Sequence, residues 1–185
     1  MLLNDWGSTE TERAAGLPGD ELLDVPAVSA TRSISLGGSP AEVAAWLRQM
    51  GTGRAGWYSY DLIDNLGRRS ADRLVPAWQV SAPGQQLPAG PIAFDVTHLV
   101  LPPDPDAVHE LVLAILDRPL LGHRIGFTLA YRAISTAPNI TRLVTRARIR
   151  IDGPVGRPAA ALLGFGDGLM VRRQLLGLRT RCGEP

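Results

Sequence analysis

The stretch "EVAAWLRQMGTGRAGWYSYD", residues 42–61, decides between two folds. Gly51, Gly53 and Gly56 stand in the spacing G-x-G-x-x-G, the fingerprint of a dinucleotide-binding turn. Such a turn leaves a buried strand and opens a helix, because the pyrophosphate rests on the helix N-terminus. Here the order is reversed. Ser39 can cap a helix, Pro40 suits its first position and Glu42 completes the capping spacing. Val43, Trp46, Leu47 and Met50 then share one helical face, so the glycines follow a helix. Trp57-Tyr58-Ser59-Tyr60 comes next, bulky where a pyrophosphate turn needs small residues. Asp72 lies at the distance of a ribose-binding acid, but within "GRRSADR" and not at the end of an apolar strand. The spacing predicts a helix ending at Gly51 and an aromatic turn. It does not predict NAD binding.

Working outward, "VSATRSISL" reads as a strand before that helix, with Val28, Ala30, Arg32, Ile34 and Leu36 on alternate positions. Residues 1–28 are interrupted by Gly and Pro and read as an extension that Trp6 anchors; residues 29–185 read as one domain. A second short helix is expected across "YSYDLIDNLG", ending at Gly67. From about residue 80, "PIAFDVTHLVL", "AVHELVLAILD", "RIGFTLAYRAIS" and "TRLVTRARIRID" are apolar runs separated by "PPDPD", "RPLLGH" and "TAPN". Short separators imply an antiparallel meander. In the last run Leu143, Thr145, Ala147, Ile149 and Ile151 alternate with Arg142, Arg146, Arg148 and Arg150, the pattern of a sheet with one wet face. A closing helix carries Leu162, Phe165, Leu169 and Leu176 on one broad face, with arginines toward its end. Gly164, Gly166 and Gly168 inside it suggest a break, a kink or close packing on the sheet.

Composition narrows the function. The 45% apolar and 20% charged residues are those of a globular chain. All basic residues are arginine, which excludes a Walker-A loop, a PLP Schiff base and a lysine base together. The one cysteine, Cys182, leaves no disulfide and no cysteine zinc site. There is no apolar run long enough to span a bilayer and no basic-then-apolar leader, so a cytoplasmic location is expected. Residues 1–30 carry six acids against one arginine, and residues 142–181 carry nine arginines against Asp152 and Asp167. This polarity is expected to lay an acidic N-terminal arm across a basic surface. The arginine strand lacks the aromatics that stack on bases, so no nucleic-acid partner is expected.

Motifs in this chain resemble actinobacterial members of the START-like superfamily, also called SRPBCC or polyketide cyclase/dehydrase-like. "QMGTGRAGWYSYD" at 49–61 is similar to their Q-M-G-x-G-R-x-G-[WF]-Y-S-Y-D run, and "SADR" at 70–73 precedes "VPAWQ" as in those proteins. "NITRLVTRARI" resembles their penultimate strand and "MVRRQLLGLRTR" their closing helix. The resemblance spans about residues 29–182, most strongly in the first half. It implies an α+β helix-grip (START-like) fold: a curved antiparallel sheet wrapped around a long C-terminal helix, two short helices after the first strand, and a cavity between sheet and helix. It does not fix a reaction, since such proteins include cyclases, lipid carriers and hormone receptors.

Within that frame two groups of residues are candidates. A four-residue loop at 102–105 would set His98 opposite His109 on the cavity side, an acid/base pair near neutral pH. Their strand faces carry Phe94 and, on the next run, Phe127 and Tyr131 as cavity wall. Arg54, Trp57, Tyr58, Tyr60 and Asp61 fall where the cavity mouth is expected, with the tyrosine hydroxyls, Tyr58 first, able to orient a ligand oxygen and Arg54 able to stabilise an enolate. For Arg54 and Asp61 the alternative is structural pairing. No third ligand completes a metal site and no cofactor is implied. The expected function is binding of an apolar or polyketide-like small molecule. The alternatives are a cyclase or dehydratase working through His98, His109 and Tyr58, and a protein-interaction module using the outer arginines Arg146, Arg148 and Arg150.

Overall fold

A computed structural model describes residues 4–120 and 122–185. The helix-start signals at Ser39 are realised as α2 (Pro40–Arg48): the Ser39 side chain accepts from the Glu42 N–H, and Glu42 reaches back to the Ser39 backbone. The glycine spacing closes a tight turn. Gly51 and Gly56 exchange N–H···O bonds of 3.0 Å in both directions, and all three glycines take positive φ. Each occupies a left-handed position that a side chain resists, so the motif serves a reversal of the chain.

The strands are β1 (Val28–Gly37), β2 (Gln86–Ala89), β3 (Ile92–Val100), β4 (His109–Leu120), β5 (His123–Ala137) and β6 (Ile140–Ile151). They form one antiparallel sheet in the order β1-β6-β5-β4-β3-β2. Register shifts at Val96/His98, Ile115/Arg118 and Ser135/Ala137 bend it. With α3 (Asp61–Asp64) and α4 (Gly156–Cys182), the architecture is the expected α+β helix-grip (START-like) fold. The short strand β2 is not foreseen by the sequence reading, because Gln85, Gln86 and Pro88 give its four residues no strand signature.

The core lies between the concave face and the helices, with Leu36, Leu143, Ile149, Leu113 and Leu175 fully buried. α4 is unbroken despite its glycines. Gly164 brings it close to Val28, and a side chain at Gly177 would collide with the carbonyl oxygen of Tyr58. Of the possibilities these glycines left open, close packing on the sheet holds at Gly164, whereas Gly166 faces open space. The helix is turned unexpectedly, however. Its buried line runs through Ala160, Gly164, Asp167, Gly168, Val171, Gln174, Leu175 and Leu178. The leucine-rich stripe faces outward, with Leu162 75%, Phe165 54% and Leu169 41% exposed.

On the convex face lies an N-terminal arm containing α1 (Glu10–Ala14). Trp6 packs on the core edge beneath Arg172, and its carbonyl pairs with the N–H of Ser33 on β1. Glu12 then holds Arg142 at 2.7 Å, and Asp20 holds Arg146 at 2.6 Å and Arg148 at 3.3 Å. Leu17 seals a small apolar cluster with Val112, Ala130 and Val144. The acidic arm crosses the basic surface as the charge distribution implied.

Candidate functional site

A cavity of about 700 Å³ lies between the sheet and α4. Its wall is aromatic. Trp57 meets Phe94 edge-on at 5.7 Å between ring centroids, and Phe94 meets Phe127 at 5.5 Å. Trp57 is aimed inward by the glycine turn, with its indole N–H donating to the Pro88 carbonyl at 3.1 Å. Leu129 and Tyr131 continue the wall along β5. Met170, Val171 and Gln174 of α4 face them, and Ile63, Leu66 and Leu162, all well exposed, form the rim.

Polar groups are few and mostly engaged. The Tyr131 hydroxyl donates to Gln174 Oε1 at 3.0 Å, and the Gln174 amide contacts Met50 Sδ at 3.3 Å. Burial pushes the Tyr131 hydroxyl well above the usual tyrosine range, reinforced by the Asp167 carboxylate. Asp167 also lines the cavity and pairs with Arg32 at 2.9 Å, both side chains almost wholly removed from water. Burial raises the pKa of Asp167, and Arg32 opposes the rise. Asp64, at the end of α3, is different. Its carboxylate oxygens are closed off from water, and among the described residues no side chain donates to them; the backbone N–H groups of Asp64 and Tyr60 favour the charged form. Burial and the neighbouring Asp61 push its pKa up to about 6.

Four of the residues singled out from sequence, Trp57, Phe94, Phe127 and Tyr131, meet at this cavity. The others lie elsewhere. Tyr58 is buried behind the turn; its hydroxyl donates to the Trp46 carbonyl and accepts from Gln49 Nε2. It shares a separate polar cleft with Asp61, which accepts from Ser70, and with Arg181, stacked 4.5 Å from the Tyr58 ring. Arg54 donates to the Gln86 carbonyl at 3.1 Å, and Tyr60 is exposed to solvent.

The two histidines do not face each other. His98 pairs in register with Val112, and Val100 with Glu110. The connection between β3 and β4 is longer than four residues, and the bulge at Thr97 turns His98 to the outer face. There its Nε2 contacts Glu110 at 3.0 Å, and Glu110 holds Arg132 at 2.7 Å. His109 points inward but beside α2, 5% exposed, with its pKa lowered by burial and by Arg48. Burial likewise pushes the Cys182 thiol up to about 12, leaving it no nucleophile near neutral pH.

The residues missed by sequence reasoning are Asp64, Arg32, Asp167 and Gln174. Arg32 carried a signal: it stands on the apolar side of the β1 alternation, so it required a buried acid. Only the fold identifies that acid as Asp167, 135 positions away. Among the described residues, no group of three or more His, Cys, Asp or Glu side chains is placed to hold a metal, and no helix is long and apolar enough to cross a membrane.

No protein-family model matches the chain, and no curated protein matches it either. Solved structures do. A hypothetical protein from Helicobacter pylori superposes with a TM-score of 0.58 at 14% identity, over 92% of this chain and 96% of that one. A conserved protein from Geobacillus kaustophilus gives 0.43 at 15% identity, over 84% and 95%. A START superfamily protein from Mycobacterium smegmatis gives 0.29 at 9% identity, over 80% and 98%. At such identities the likeness is one of fold alone, and the Helicobacter pylori protein carries it: the two chains share one architecture over most of their lengths.

Proposed function

We propose that this protein binds an apolar or polyketide-like small molecule in the cavity between the sheet and α4, as a member of the SRPBCC superfamily akin to the actinobacterial proteins whose glycine-turn motif it resembles. One observation carries the reading: a cavity of about 700 Å³ walled by Trp57, Phe94, Phe127, Leu129 and Met170. That size and lining are those of a small-molecule site, where apolar walls supply affinity and a few polar groups set orientation. Trp57, Phe94, Phe127 and Tyr131 are the residues that would contact the ligand.

The test is native mass spectrometry of freshly purified protein, followed by titration with the neutral fluorophore N-phenyl-1-naphthylamine. Gly166 lines the cavity and has open space where its Cβ would stand. Gly166→Leu should therefore narrow the site and weaken both ligand carriage and fluorophore binding severalfold while leaving the fold intact. Equal binding by the variant would overturn the assignment to this cavity.

A further inference from the structure

The hydroxyl groups on the cavity wall are already committed as donors. Thr52 donates to the Asp64 carbonyl at 2.7 Å, Ser59 to the Met170 carbonyl at 2.9 Å, and Tyr131 to Gln174 Oε1 at 3.0 Å. One acceptor on the same wall is not committed. Asp167 of α4 lines the cavity, and Arg32 donates to its Oδ2 at 2.9 Å. Among the described residues nothing donates to its other oxygen, Oδ1. Tyr131 stands near enough for the Asp167 carboxylate to disfavour its ionisation, yet gives its one proton to Gln174.

Oδ1 is not closed off as the Asp64 oxygens are, and the Asp167 side chain keeps 6% of its surface open. The open space that it borders is the cavity. A carboxylate oxygen has room for more than one donor, and one held in an apolar place without any costs free energy. A ligand O–H or N–H that reaches it recovers that cost. Because Arg32 already balances the charge, the missing partner is a donor and not a cation.

We infer that Asp167 Oδ1 is the polar anchor of the cavity: the ligand is an apolar molecule bearing a hydroxyl or N–H group that donates to Oδ1. The inference rests on the apolar-ligand reading above and adds the polar group that the ligand carries.

The test is displacement of N-phenyl-1-naphthylamine by 2-naphthol and by 2-methylnaphthalene, which have the same shape and differ in O–H for CH3. Near pH 7 a phenolic hydroxyl keeps its proton. Apolar burial alone makes the methyl compound the tighter ligand. With the anchor in place, 2-naphthol should displace the probe at severalfold lower concentration, because a hydrogen bond to a charged acceptor outweighs one methyl. The ratio of the two compounds within one protein does not depend on how tightly that protein holds the probe. In Arg32→Met, Asp167→Leu, which removes acceptor and cation together, the order should reverse. Asp167→Asn, which keeps the size of the side chain and can leave its oxygen on Arg32, should abolish the preference for 2-naphthol. Circular dichroism shows which variants are folded. Tighter binding of 2-methylnaphthalene by the parent protein, or the parent's order kept in either folded variant, would overturn the anchor while leaving the cavity assignment standing. If neither the probe nor either compound binds the parent protein, the cavity assignment itself fails, and this inference with it.

Discussion

Arg32 Nη1 and Asp167 Oδ2 sit 2.9 Å apart beneath the cavity, joining the first strand to the last helix with both side chains withdrawn from water. Removing one partner of a buried pair strands the other charge, which costs more than the pair contributes. Asp167→Ala should therefore lower stability by about 3–5 kcal/mol in urea unfolding. The double variant Arg32→Met, Asp167→Leu should come back to within about 1 kcal/mol of the parent. A mild Asp167→Ala would show that the pair is not closed to solvent.

This pair also marks where sequence reading stops. Alternation in β1 and β6, the capping box at Ser39 and the acid/base imbalance between the two ends are local signals, and the capped helix, the strands and the arm across the convex face follow from them. The helix-grip assignment was legible in the same way, through motifs of a few residues each. The cavity was half legible. Phe127 could be assigned to a wall from its strand face and Trp57 to the mouth, but Tyr58 and Tyr60 of the same turn were placed with it and lie elsewhere. His98 was misplaced because one extra residue, at the Thr97 bulge, reverses which face every following side chain takes. The face of α4 was misleading for a related reason: hydrophobicity marks its leucine stripe, whereas the sheet selects the side that glycine lets come closest.

The arm gives a pH dependence. Arg142 holds Glu12 with bonds of 2.7 and 3.0 Å, the Thr9 N–H donates to it at 2.7 Å, Ser33 adds a fourth bond, and together they overcome burial to bring Glu12 down to about 2 from its ordinary 4.5. A carboxylate depressed in the folded state contributes stability that is fully present above the unfolded-state pKa and is lost as pH falls through the folded one. The loss should run from about pH 4.5 down to about 2. Glu12→Gln should cost on the order of 2 kcal/mol at neutral pH and flatten the stability profile across that window. An unchanged profile would mean that the arm is not clasped in solution.

Two glycines of α4 should respond oppositely to the same change. Gly166 has open space where a methyl would stand, so Gly166→Ala should raise stability by about 0.8–1 kcal/mol through helix propensity alone. Gly177 is pressed against the Tyr58 backbone, so Gly177→Ala must push the helix off the glycine turn and should cost about 1–3 kcal/mol. Thermal unfolding of the two variants beside the parent settles the sign of each. If both stabilise, α4 does not lie against the turn as described.

The orientation of α4 is the feature most at odds with hydrophobicity, and it can be tested by the contrast between two leucines. Leu162 belongs to the apolar stripe that a helical wheel would bury, yet it is 75% exposed at the cavity rim. Leu175 stands on the line facing the sheet and is fully buried. Leu162→Gln should change stability by no more than about 0.5 kcal/mol, as at other surface positions. Leu175→Ala should cost about 2–5 kcal/mol, because it opens a void in the core. The opposite ranking would turn the helix by about half a revolution and close the cavity, since the residues then facing the sheet would be Leu162, Phe165 and Leu169. Urea unfolding of the two single variants is therefore also a test of whether the space between α4 and the aromatic wall exists at all.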